Sequence, residues 1–325
     1  MTETTTADQA PQAPDPLANR VRKNERHWRK WARQQGLEAY RLYDRDMPER
    51  PYIIDRYGDW LHVQLLEQRR PLSEGEVTAQ LDDLARALAM PPERIVLKTR
   101  RRQRGSAQYE KTGEQGEAFL VRERDLQFEV NLQRYLDTGL FIDHRDTRQL
   151  VRERVAGRAF LNLFAYTGSF TVYAAAGGAR STLTVDMSQT YQHWTRRNLL
   201  HNGIDDFKRH RLVCSDVFAW LEQAADEGAS FDLIVLDPPS FSNSKRMRES
   251  FDIQRDQRIL LPATLALLAP GGELYFSTNR RGFRLDPALA EPRHAPPPAE
   301  LTPGTLPADC RRHPPHRCWR FTRPG

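Results

Sequence analysis

Short apolar segments alternate with amphipathic segments from about residue 147 onward, and this alternation is the feature that most constrains the fold. Five apolar segments have the length and the residue types of buried strands: AFLNLFAY, STLTVDM, RHRLVCSD, FDLIVLDPP and GGELYFSTN. Helical patterns lie between them. Strands that are apolar on both faces and alternate with helices are typical of a parallel sheet covered by helices on both sides. The sequence therefore predicts an α/β fold with a Rossmann-like doubly wound sheet.

Composition divides the chain into four parts. Residues 1–17 are rich in Thr, Ala, Gln, Asp and Pro, which predicts a disordered linker. Residues 18–135 are predicted to form a basic helix followed by a small α+β domain that binds RNA, and residues 136–285 form the doubly wound domain. Residues 286–325 are a Pro-rich, divergent segment with three consecutive prolines where the last strands of such a sheet would lie, so we expect the sixth strand not to form.

Basic residues outnumber acidic ones, 49 Lys and Arg against 43 Asp and Glu, and two basic stretches favour a polyanionic partner. The predicted helix at residues 18–35 interleaves Trp28 and Trp31 with the cations Arg20, Arg22, Lys23, Arg26, Arg29, Lys30 and Arg33. This pattern fits equally a solvated helix whose tryptophans pack on the next domain and a helix that faces RNA. The second stretch is a loop with Lys98, Arg100, Arg101, Arg102 and Arg104, for which solvation and phosphate contact are equally expected.

Cysteine content and hydropathy argue against several classes of protein. Cys214, Cys310 and Cys318 have no paired spacing, so neither a disulfide framework nor a metal site is predicted. No apolar run is long enough to span a membrane, and the first residues lack the apolar centre of a signal peptide. The expected compartment is the cytoplasm.

Acidic residues follow the second, third and fourth predicted strands, at the edge where ligands bind in doubly wound sheets. The first strand leads into a turn that ends at Gly168, with neither a GxGxxG fingerprint nor a phosphate-binding loop. Asp186 follows the second strand and can accept both hydroxyls of a ribose; the alternative is a helix cap, for which Ser188 is better placed. Asp216 follows the third strand and can accept from an adenine amino group, cap the next helix, or do both.

The fourth predicted strand ends in the unusual sequence Asp237-Pro238-Pro239. Neither proline can donate a hydrogen bond, and a buried carboxylate at a strand end is costly unless it is used. The prolines stiffen the loop, so that Asp237 and adjacent carbonyl groups can hold the amino or imino hydrogens of a flipped-out base, with Phe241 as a stacking platform. Asp237, Pro238 and Phe241 are therefore the candidate catalytic residues. All four strand ends together suit adenosine without phosphates, the nucleoside part of S-adenosylmethionine.

Several stretches carry a resemblance to a known family: LDTGLFIDHR (136–145), FLNLFAYTGSFTVYAAAGGARSTLTVDMS (160–188), DPPSFSNSKRM (237–247), FDIQRD (251–256) and FSTNRRGFR (276–284). Residues 145–285 resemble class I S-adenosylmethionine-dependent methyltransferases. Residues 18–285 resemble the RlmK family, the C-terminal halves of fused large-subunit rRNA guanine methyltransferases. The resemblance implies N7 methylation of a guanosine in 23S rRNA or its large-subunit precursor. The other half of the fused enzymes makes N2-methylguanosine, and a chain that begins in linker composition is consistent with a separate or lost partner half.

The resemblance also implies the site residues. Phe164, Tyr166, Thr167 and Gly168 would surround the methionine part of the cofactor, Asp186 and Met187 would hold the ribose and flank the adenine, Asp216 and Val217 would meet the adenine edge, and Asp143 and Arg145 would close the pocket. Arg145 is expected to pair with the methionine carboxylate. The cations expected to hold the RNA backbone near the pocket are Lys245, Arg246, Arg280, Arg281 and Arg284.

The predicted chemistry is an in-line methyl transfer, in which most of the catalysis is positioning. Cytosine C5 methylation needs a cysteine nucleophile, and the segments after the fourth and fifth predicted strands contain none, so a nitrogen acceptor is favoured. Guanine N7 and the exocyclic N2 both fit the residues, and the family resemblance alone favours N7. Two other interpretations stay open: an rRNA-binding remnant without catalysis and, less favoured, an enzyme of the same fold that acts on DNA or protein.

Overall fold

The computed structural model describes residues 15–100, 116–242, 250–290 and 296–325. Within them, residues up to 34 and from 40 to 100 form one compact unit. Residues 35–39, together with those from 116 onward, form a second unit. The domain boundaries given above stay predictions.

The first unit combines two helices with a four-stranded sheet. In chain order the elements are α1 (Pro16–Gln35), β1 (Ala39–Asp44), β2 (Tyr52–Tyr57), β3 (Trp60–Leu66), α2 (Glu74–Leu88) and β4 (Ile95–Arg100). The strands are ordered β1-β2-β3-β4, with β2 and β3 antiparallel and β3 and β4 parallel. The helix expected at residues 18–35 is confirmed. A capping box between Ser73 and Glu76 begins α2.

The helix α1 is amphipathic, and its polar face is strongly basic. Leu17, Val21 and Ala32 are buried against the first unit. All seven cations named above are exposed, whereas Trp28 and Trp31 are partly buried and pack edge to face at 5.3 Å. Among the helices that the structure describes, neither α1 nor any other is long and apolar enough to cross a membrane.

The second unit contains the doubly wound sheet. Its strands are β5 (Phe119–Glu123), β6 (Leu126–Val130), β7 (Ala159–Leu163), β8 (Ser181–Asp186), β9 (His210–Cys214), β10 (Phe231–Leu236), β11 (Phe241–Ser242), β12 (Phe251–Asp252), β13 (Leu268–Thr278), β14 (Ala299–Glu300) and β15 (Arg317–Thr322). Its helices are α3 (Arg145–Arg154), α4 (Ser169–Ala176), α5 (Gln189–His201), α6 (Val217–Asp226), α7 (Ile253–Ala266) and the short α8 (Pro287–Ala290) and α9 (Thr302–Thr305).

Seven of these strands form one sheet, in the order β14-β15-β13-β10-β7-β8-β9. The five from β13 to β9 are parallel. In β10, Leu233 and Val235 pack in the core formed with α3 and α4, whereas Ile234 and Leu236 pack in the core formed with α6 and α7. Both faces are therefore buried, and the predicted α/β doubly wound fold is confirmed. The strands β5 and β6 form a separate antiparallel pair.

The expectation that no strand forms in the Pro-rich segment is wrong. The strand β15 pairs antiparallel with β13 from Arg317 to Thr322, and β14 pairs with β15. Trp319 and Phe321 are buried, and Trp319 stacks on Phe276 with ring centroids 5.6 Å apart. The prolines precede or follow the six residues of β15, so they remove no hydrogen bond from it.

Candidate active site

A cavity opens at the carboxyl ends of the parallel strands. Because these ends meet at one edge of the sheet, residues far apart in the sequence come together there. The lining residues are Asp137, Phe141, Asp143, His144, Arg148, Asn162, Phe164, Ala165, Tyr166, Ser169, Phe170, Asp186, Met187, Tyr191, Asp216, Val217, Asp237, Pro238, Pro239, Ser242, Phe251 and Asn279. Their carboxylates, aromatic rings and apolar side chains surround one space.

The turn after β7 has an unusual backbone. Phe164 and Tyr166 have φ values of 55° and 51°, in the left-handed region, which costs a residue with a side chain about 1–2 kcal/mol. Gly168 has a φ of 72°, and a Cβ on it would come within 2.3 Å of a methyl group in α5. The Tyr166 hydroxyl accepts from the Gly139 amide at 3.0 Å, and the Thr167 hydroxyl donates to the Gly139 carbonyl at 2.6 Å. Surrounding contacts thus maintain a strained turn, as is common where ligands bind.

Asp186 lies at the end of β8 and accepts two backbone hydrogen bonds. Oδ1 accepts from the Ser188 amide at 2.8 Å, and Oδ2 accepts from the Tyr166 amide at 2.9 Å. Removal from bulk water raises the pKa of this carboxyl to about 6, although both hydrogen bonds act in the opposite direction. Ser188 caps α5 by accepting from the Tyr191 amide, so Asp186 is not needed for that purpose. Each carboxylate oxygen can accept a second hydrogen bond, which suits two adjacent hydroxyls of a ligand.

Asp216 has a local structural role and also lines the cavity. Its Oδ1 accepts from the amides of Phe218 and Ala219 at 3.0 and 3.1 Å, so the predicted capping of α6 is confirmed. Both capping bonds use the same oxygen, which leaves Oδ2 for a ligand. The next residue, Val217, is buried and adds an apolar wall. This carboxylate beside an apolar surface can accept from the amino edge of a flat ring.

Asp237 stands in a polar cluster at the end of β10. Its Oδ1 accepts from the Ser277 hydroxyl at 2.6 Å, and its Oδ2 lies 3.5 Å from His144 Nε2. His144 Nε2 is also 3.9 Å from Asp143 Oδ2, which in turn pairs with His316 Nδ1 at 2.9 Å. His316 belongs to the C-terminal segment, just before β15. Asp237 is therefore contacted by side chains from two other parts of the chain, and His316, from a third part, contacts Asp143.

The predicted site residues divide into those that line the cavity and those that do not. Seven of the predicted cofactor residues line it: Asp143, Phe164, Tyr166, Asp186, Met187, Asp216 and Val217. Asp237 and Pro238 line it as well. Thr167 and Gly168 belong to the strained turn but are not lining residues, because the Thr167 side chain is buried against Gly139. Phe241 is 39% exposed in β11, outside the lining.

Arg145 is placed differently from the expectation that it closes the pocket. Its side chain is fully buried, and Nη1 donates to Asp309 at 3.1 Å while Nη2 donates to the Ala39 carbonyl at 2.6 Å. Its Nε lies 3.5 Å from Glu123. These partners occupy the guanidinium away from the cavity, so a pairing of Arg145 with a ligand carboxylate has no support in this arrangement. Its neighbour His144 faces the cavity instead.

The cations predicted to hold RNA are described only in part. Arg101, Arg102, Arg104, Lys245 and Arg246 lie outside the described residues, as does the Arg100 side chain. Lys98 lies within β4 and is buried, and this burial lowers its pKa, so it does not belong to an exposed loop. The side chain of Arg280 is partly buried and forms an ion pair with Asp252. Arg281 and Arg284 are exposed.

Sequence reasoning missed several polar residues of the site. His144 and Asn279 both lie in stretches that were noted for their resemblance to a family, but no role was given to them. Ser277 lies on β13, two residues before Asn279, and contacts Asp237. His316 was given no role, although the closing HRCWRF (316–321) resembles the end of the family, because 172 residues separate it from His144 along the chain.

Comparisons with known proteins agree with this geometry. A family model described as S-adenosylmethionine-dependent methyltransferase matches residues 51–299. The chain is 50% identical over 310 residues to ribosomal RNA large subunit methyltransferase K of Neisseria meningitidis serogroup B, which covers 94% of this chain and 86% of that protein. It is 46% identical over 320 residues to ribosomal RNA large subunit methyltransferase K/L of Magnetococcus marinus. That alignment covers 96% of this chain but 44% of the longer protein.

Solved structures show the same fold at lower sequence identity. The crystal structure of SMU.776, complexed with SAH, has a TM-score of 0.77 and 24% identity, with 94% of this chain and 80% of that chain covered. A SAM-dependent methyltransferase from Agrobacterium tumefaciens has a TM-score of 0.59 and 18% identity, with 88% of this chain and 91% of that chain covered. These two likenesses concern the fold alone.

Proposed function

Because the chain belongs to the family of S-adenosylmethionine-dependent methyltransferases, we propose that it transfers a methyl group to a guanosine of 23S ribosomal RNA, at N7. The observation that carries the proposal is the sequence identity of 50% to a large-subunit rRNA methyltransferase over nearly the whole chain. The cavity at the strand ends supports it, because carboxylates suited to a nucleoside lie beside the Asp237-Pro238-Pro239 loop.

The charges of the lining suit S-adenosylmethionine. Five carboxylates face the cavity: Asp137, Asp143, Asp186, Asp216 and Asp237. Arg148 is the one Lys or Arg among the described lining residues, and its guanidinium donates to both oxygens of Glu123 at 2.9 and 2.8 Å. Such a site favours a sulfonium cation with an amino group and disfavours polyphosphates. Bound S-adenosylmethionine supplies an electrophilic methyl group.

Two carboxylates are proposed to hold the adenosine part. Asp186 would accept from the two ribose hydroxyls, since its backbone bonds leave acceptor capacity on both oxygens. Asp216 would accept from the adenine amino group through Oδ2, with Val217 and Met187 against the ring. Phe164 and Tyr166 line the cavity and have a strained backbone, and they are proposed to surround the methionine part.

The acceptor base is proposed to bind at the Asp237-Pro238-Pro239 loop. Guanine N7 already presents a lone pair, so the residues need to orient the base rather than remove a proton. Asp237 can accept from the amino and imino hydrogens of guanine, which would hold the base edge while the exposed Phe241 ring offers a stacking surface. This role is positioning, the main source of catalysis in an in-line displacement.

The cysteines support a mechanism without a covalent enzyme–base bond. Cys318 is buried in β15, and burial together with the nearby Asp237 charge raises its pKa, so the thiolate that a nucleophile requires is disfavoured. Cys214 is exposed at the end of β9, and its thiol donates to the Met187 carbonyl at 3.5 Å. Neither is a lining residue of the cavity.

An RNA partner is supported by the helix α1. Its seven cations are all exposed on one unit of the chain, with Trp28 and Trp31 partly exposed among them. Arginines and aromatic rings on one surface suit phosphates and unpaired bases. We therefore assign the exposed face of α1 to contact with the rRNA backbone.

Removing cations from this face is expected to weaken RNA binding. Arg26 and Lys30 are one helical turn apart, so Arg26→Ala/Lys30→Ala removes two neighbouring phosphate contacts. The dissociation constant for 23S rRNA should rise at least about threefold, and the slope of log K against log salt should become shallower by about 1–2. Filter binding over a salt series measures both. The control Lys208→Ala/Arg211→Ala removes one Lys and one Arg that are exposed near the amino end of β9, and it should change neither value. Equal effects of the two pairs of substitutions would contradict the assignment.

A methyl-transfer assay tests the function as a whole. The purified chain is incubated with methyl-labelled S-adenosylmethionine and rRNA from cells that lack the corresponding enzymes, and the digested nucleosides are identified by mass spectrometry. The expected product is 7-methylguanosine, confirmed on intact RNA by strand cleavage with aniline after borohydride reduction. Formation of N2-methylguanosine would replace the N7 proposal by the N2 alternative. Binding of the rRNA without methyl transfer would favour a catalytically impaired RNA-binding protein.

A further inference from the structure

Two stacked histidines lie behind Asp237, and neither has a role in the proposal above. The rings of His144 and His316 are parallel to within 16°, with centroids 4.0 Å apart. Both side chains are almost fully buried. His144 Nδ1 and His316 Nε2 have no hydrogen-bond partner among the described residues. Burying two imidazoles with an unpaired nitrogen each is unfavourable, so favourable contacts of their other nitrogens are expected.

The other nitrogens face carboxylates. His144 Nε2 lies 3.5 Å from Asp237 Oδ2 and 3.9 Å from Asp143 Oδ2, and His316 Nδ1 lies 2.9 Å from Asp143 Oδ2. An N–H is favoured where an imidazole nitrogen faces a carboxylate. His144 should therefore carry its proton on Nε2, and His316 on Nδ1. In this arrangement His144 donates toward Asp237, while the bond from His316 to Asp143 fixes the ring on which His144 stacks.

The surroundings keep His144 neutral. Burial lowers its pKa to about 4, and the neighbouring His316 acts in the same direction, while Asp237 and Asp143 act against it. Arg148 adds a further charge that disfavours the imidazolium. A neutral donor orients the Asp237 carboxylate and leaves its negative charge unneutralised for the hydrogens of a base.

A metal ion shared by this cluster fits the geometry less well. Asp143, His144 and His316 lie close enough together to suggest a site. A ring nitrogen binds a metal along a lone pair in the ring plane, at about 2.0–2.1 Å for zinc. Two rings that are parallel to within 16°, with centroids 4.0 Å apart, direct their lone pairs within nearly parallel planes, which disfavours the binding of one ion by both rings. The stacked pair suits hydrogen bonding to the carboxylates.

We propose that His144 is a positioning residue for Asp237, and that His316 of the C-terminal segment holds His144 in that position. The inference rests on the proposed methyl transfer, in which Asp237 orients the base. Ser277 donates to one oxygen of Asp237 and His144 Nε2 lies 3.5 Å from the other, so both oxygens have a neighbouring donor before a base arrives. The 3.5 Å separation is long for a hydrogen bond, and such contacts commonly shorten when the substrate binds. The segment around β15 thereby contributes to the site as well as to the sheet.

Substitutions that keep or remove the donor test the role. His144→Leu removes the N–H and should lower kcat at least about tenfold, with the cofactor dissociation constant changed less than about threefold. His144→Gln keeps an N–H near the position of Nε2 and should recover most of the rate. His316→Leu should act in the same direction as His144→Leu, and His316→Asn, which keeps a donor near Nδ1, should act less. Thermal unfolding of each variant separates these effects from loss of folded protein.

A double-substitution cycle shows whether His144 acts through Asp237. In an Asp237→Asn background, His144→Leu should lower the residual single-turnover rate less than twofold, because the carboxylate that it positions is already gone. An equal loss in both backgrounds, or the absence of rescue by Gln, would reduce His144 to a packing residue and overturn the inference.

A measurement without substrate separates this inference from the proposed function. In protein labelled with ¹⁵N-histidine, the His144 signal should be that of the neutral Nε2–H tautomer at pH 7 and should remain neutral at pH 5.5, above its pKa of about 4. The other tautomer or an imidazolium would overturn the inference, and so would saturable binding of one zinc ion that is lost in His316→Asn. If the wild type methylates no rRNA, the proposed function fails. If the wild type methylates rRNA and His144→Leu does so at the same rate, only this inference fails.

Discussion

Replacing Asp237 by Ala is expected to abolish methyl transfer, while the affinity for S-adenosylmethionine changes less than about threefold. We expect kcat to fall at least ~100-fold, the scale seen when a preorganised group that orients or stabilises the reacting partner is removed. The cofactor affinity should survive because Asp186 and Asp216, the carboxylates proposed to hold the ribose and the adenine, lie at the ends of other strands. Single-turnover kinetics on rRNA and calorimetric titration of the cofactor measure the two quantities separately.

Two further variants make this prediction specific. Asp237→Asn keeps the size of the side chain and the bond from Ser277 but loses the charge, so its rate should also be strongly reduced. Asp226→Asn makes the same chemical change on an exposed residue at the end of α6 and should leave the rate unchanged. Near-normal turnover of Asp237→Ala would refute the assignment of the Asp237-Pro238-Pro239 loop to the acceptor base.

Replacing Asp186 by Ala is expected to raise the cofactor dissociation constant at least tenfold. Hydrogen bonds to a charged group contribute about 1.5–3 kcal/mol each, so the loss of two ribose contacts exceeds the 1.4 kcal/mol that corresponds to a factor of ten. Asp186→Ala also removes the acceptors for the Tyr166 and Ser188 amides, which support the strained turn. Asp186→Asn keeps one acceptor oxygen and should have a smaller effect. Calorimetry that gave an unchanged dissociation constant would contradict the ribose role.

The pH dependence of cofactor binding gives a second test of Asp186. Its pKa in the free protein is raised to about 6, so a large fraction of the carboxyl is protonated at pH 5.5 and most of it is ionised at pH 7.5. In the proposed complex the ribose hydroxyls would donate to the ionised form. The affinity should therefore rise as the pH increases from 5 to 7 and become constant above about 7, with proton release on binding below pH 6. Asp186→Ala should lose this dependence, whereas Asp226→Asn should retain it.

The alternation of apolar and amphipathic segments was sufficient to predict the central fold. Each of the five strand candidates became a parallel strand of one sheet, because a strand such as β10 buries Leu233 and Val235 on one face and Ile234 and Leu236 on the other. Buried strands of this kind leave one architecture, and that architecture determines where their carboxyl ends lie. For this reason the sequence alone predicts that Asp186, Asp216 and Asp237 lie at one site.

Local rules failed where the outcome depends on distant partners. The prolines of residues 286–325 suggested that no strand would form, but β15 is stabilised by its pairing with β13 and by the stacking of Trp319 on Phe276. Arg145 was expected to meet a ligand carboxylate, yet Asp309, Glu123 and Ala39 bind its guanidinium. In both cases the decisive partner lies far away in the sequence, and no short motif encodes it.

By itself, the sequence determined the doubly wound sheet, the family resemblance and the carboxylates at the strand ends, because strand periodicity and residue type are local properties. The tertiary structure alone decided which side chains enter the cavity and which support it from behind. It turned Arg145 into a buried ion-pair partner, and it brought His316 from the C-terminal segment to the ring of His144 beside Asp237. The physical reason is that the free energy of a buried charge or imidazole depends on the groups packed around it, and those groups are assembled only when the chain has folded.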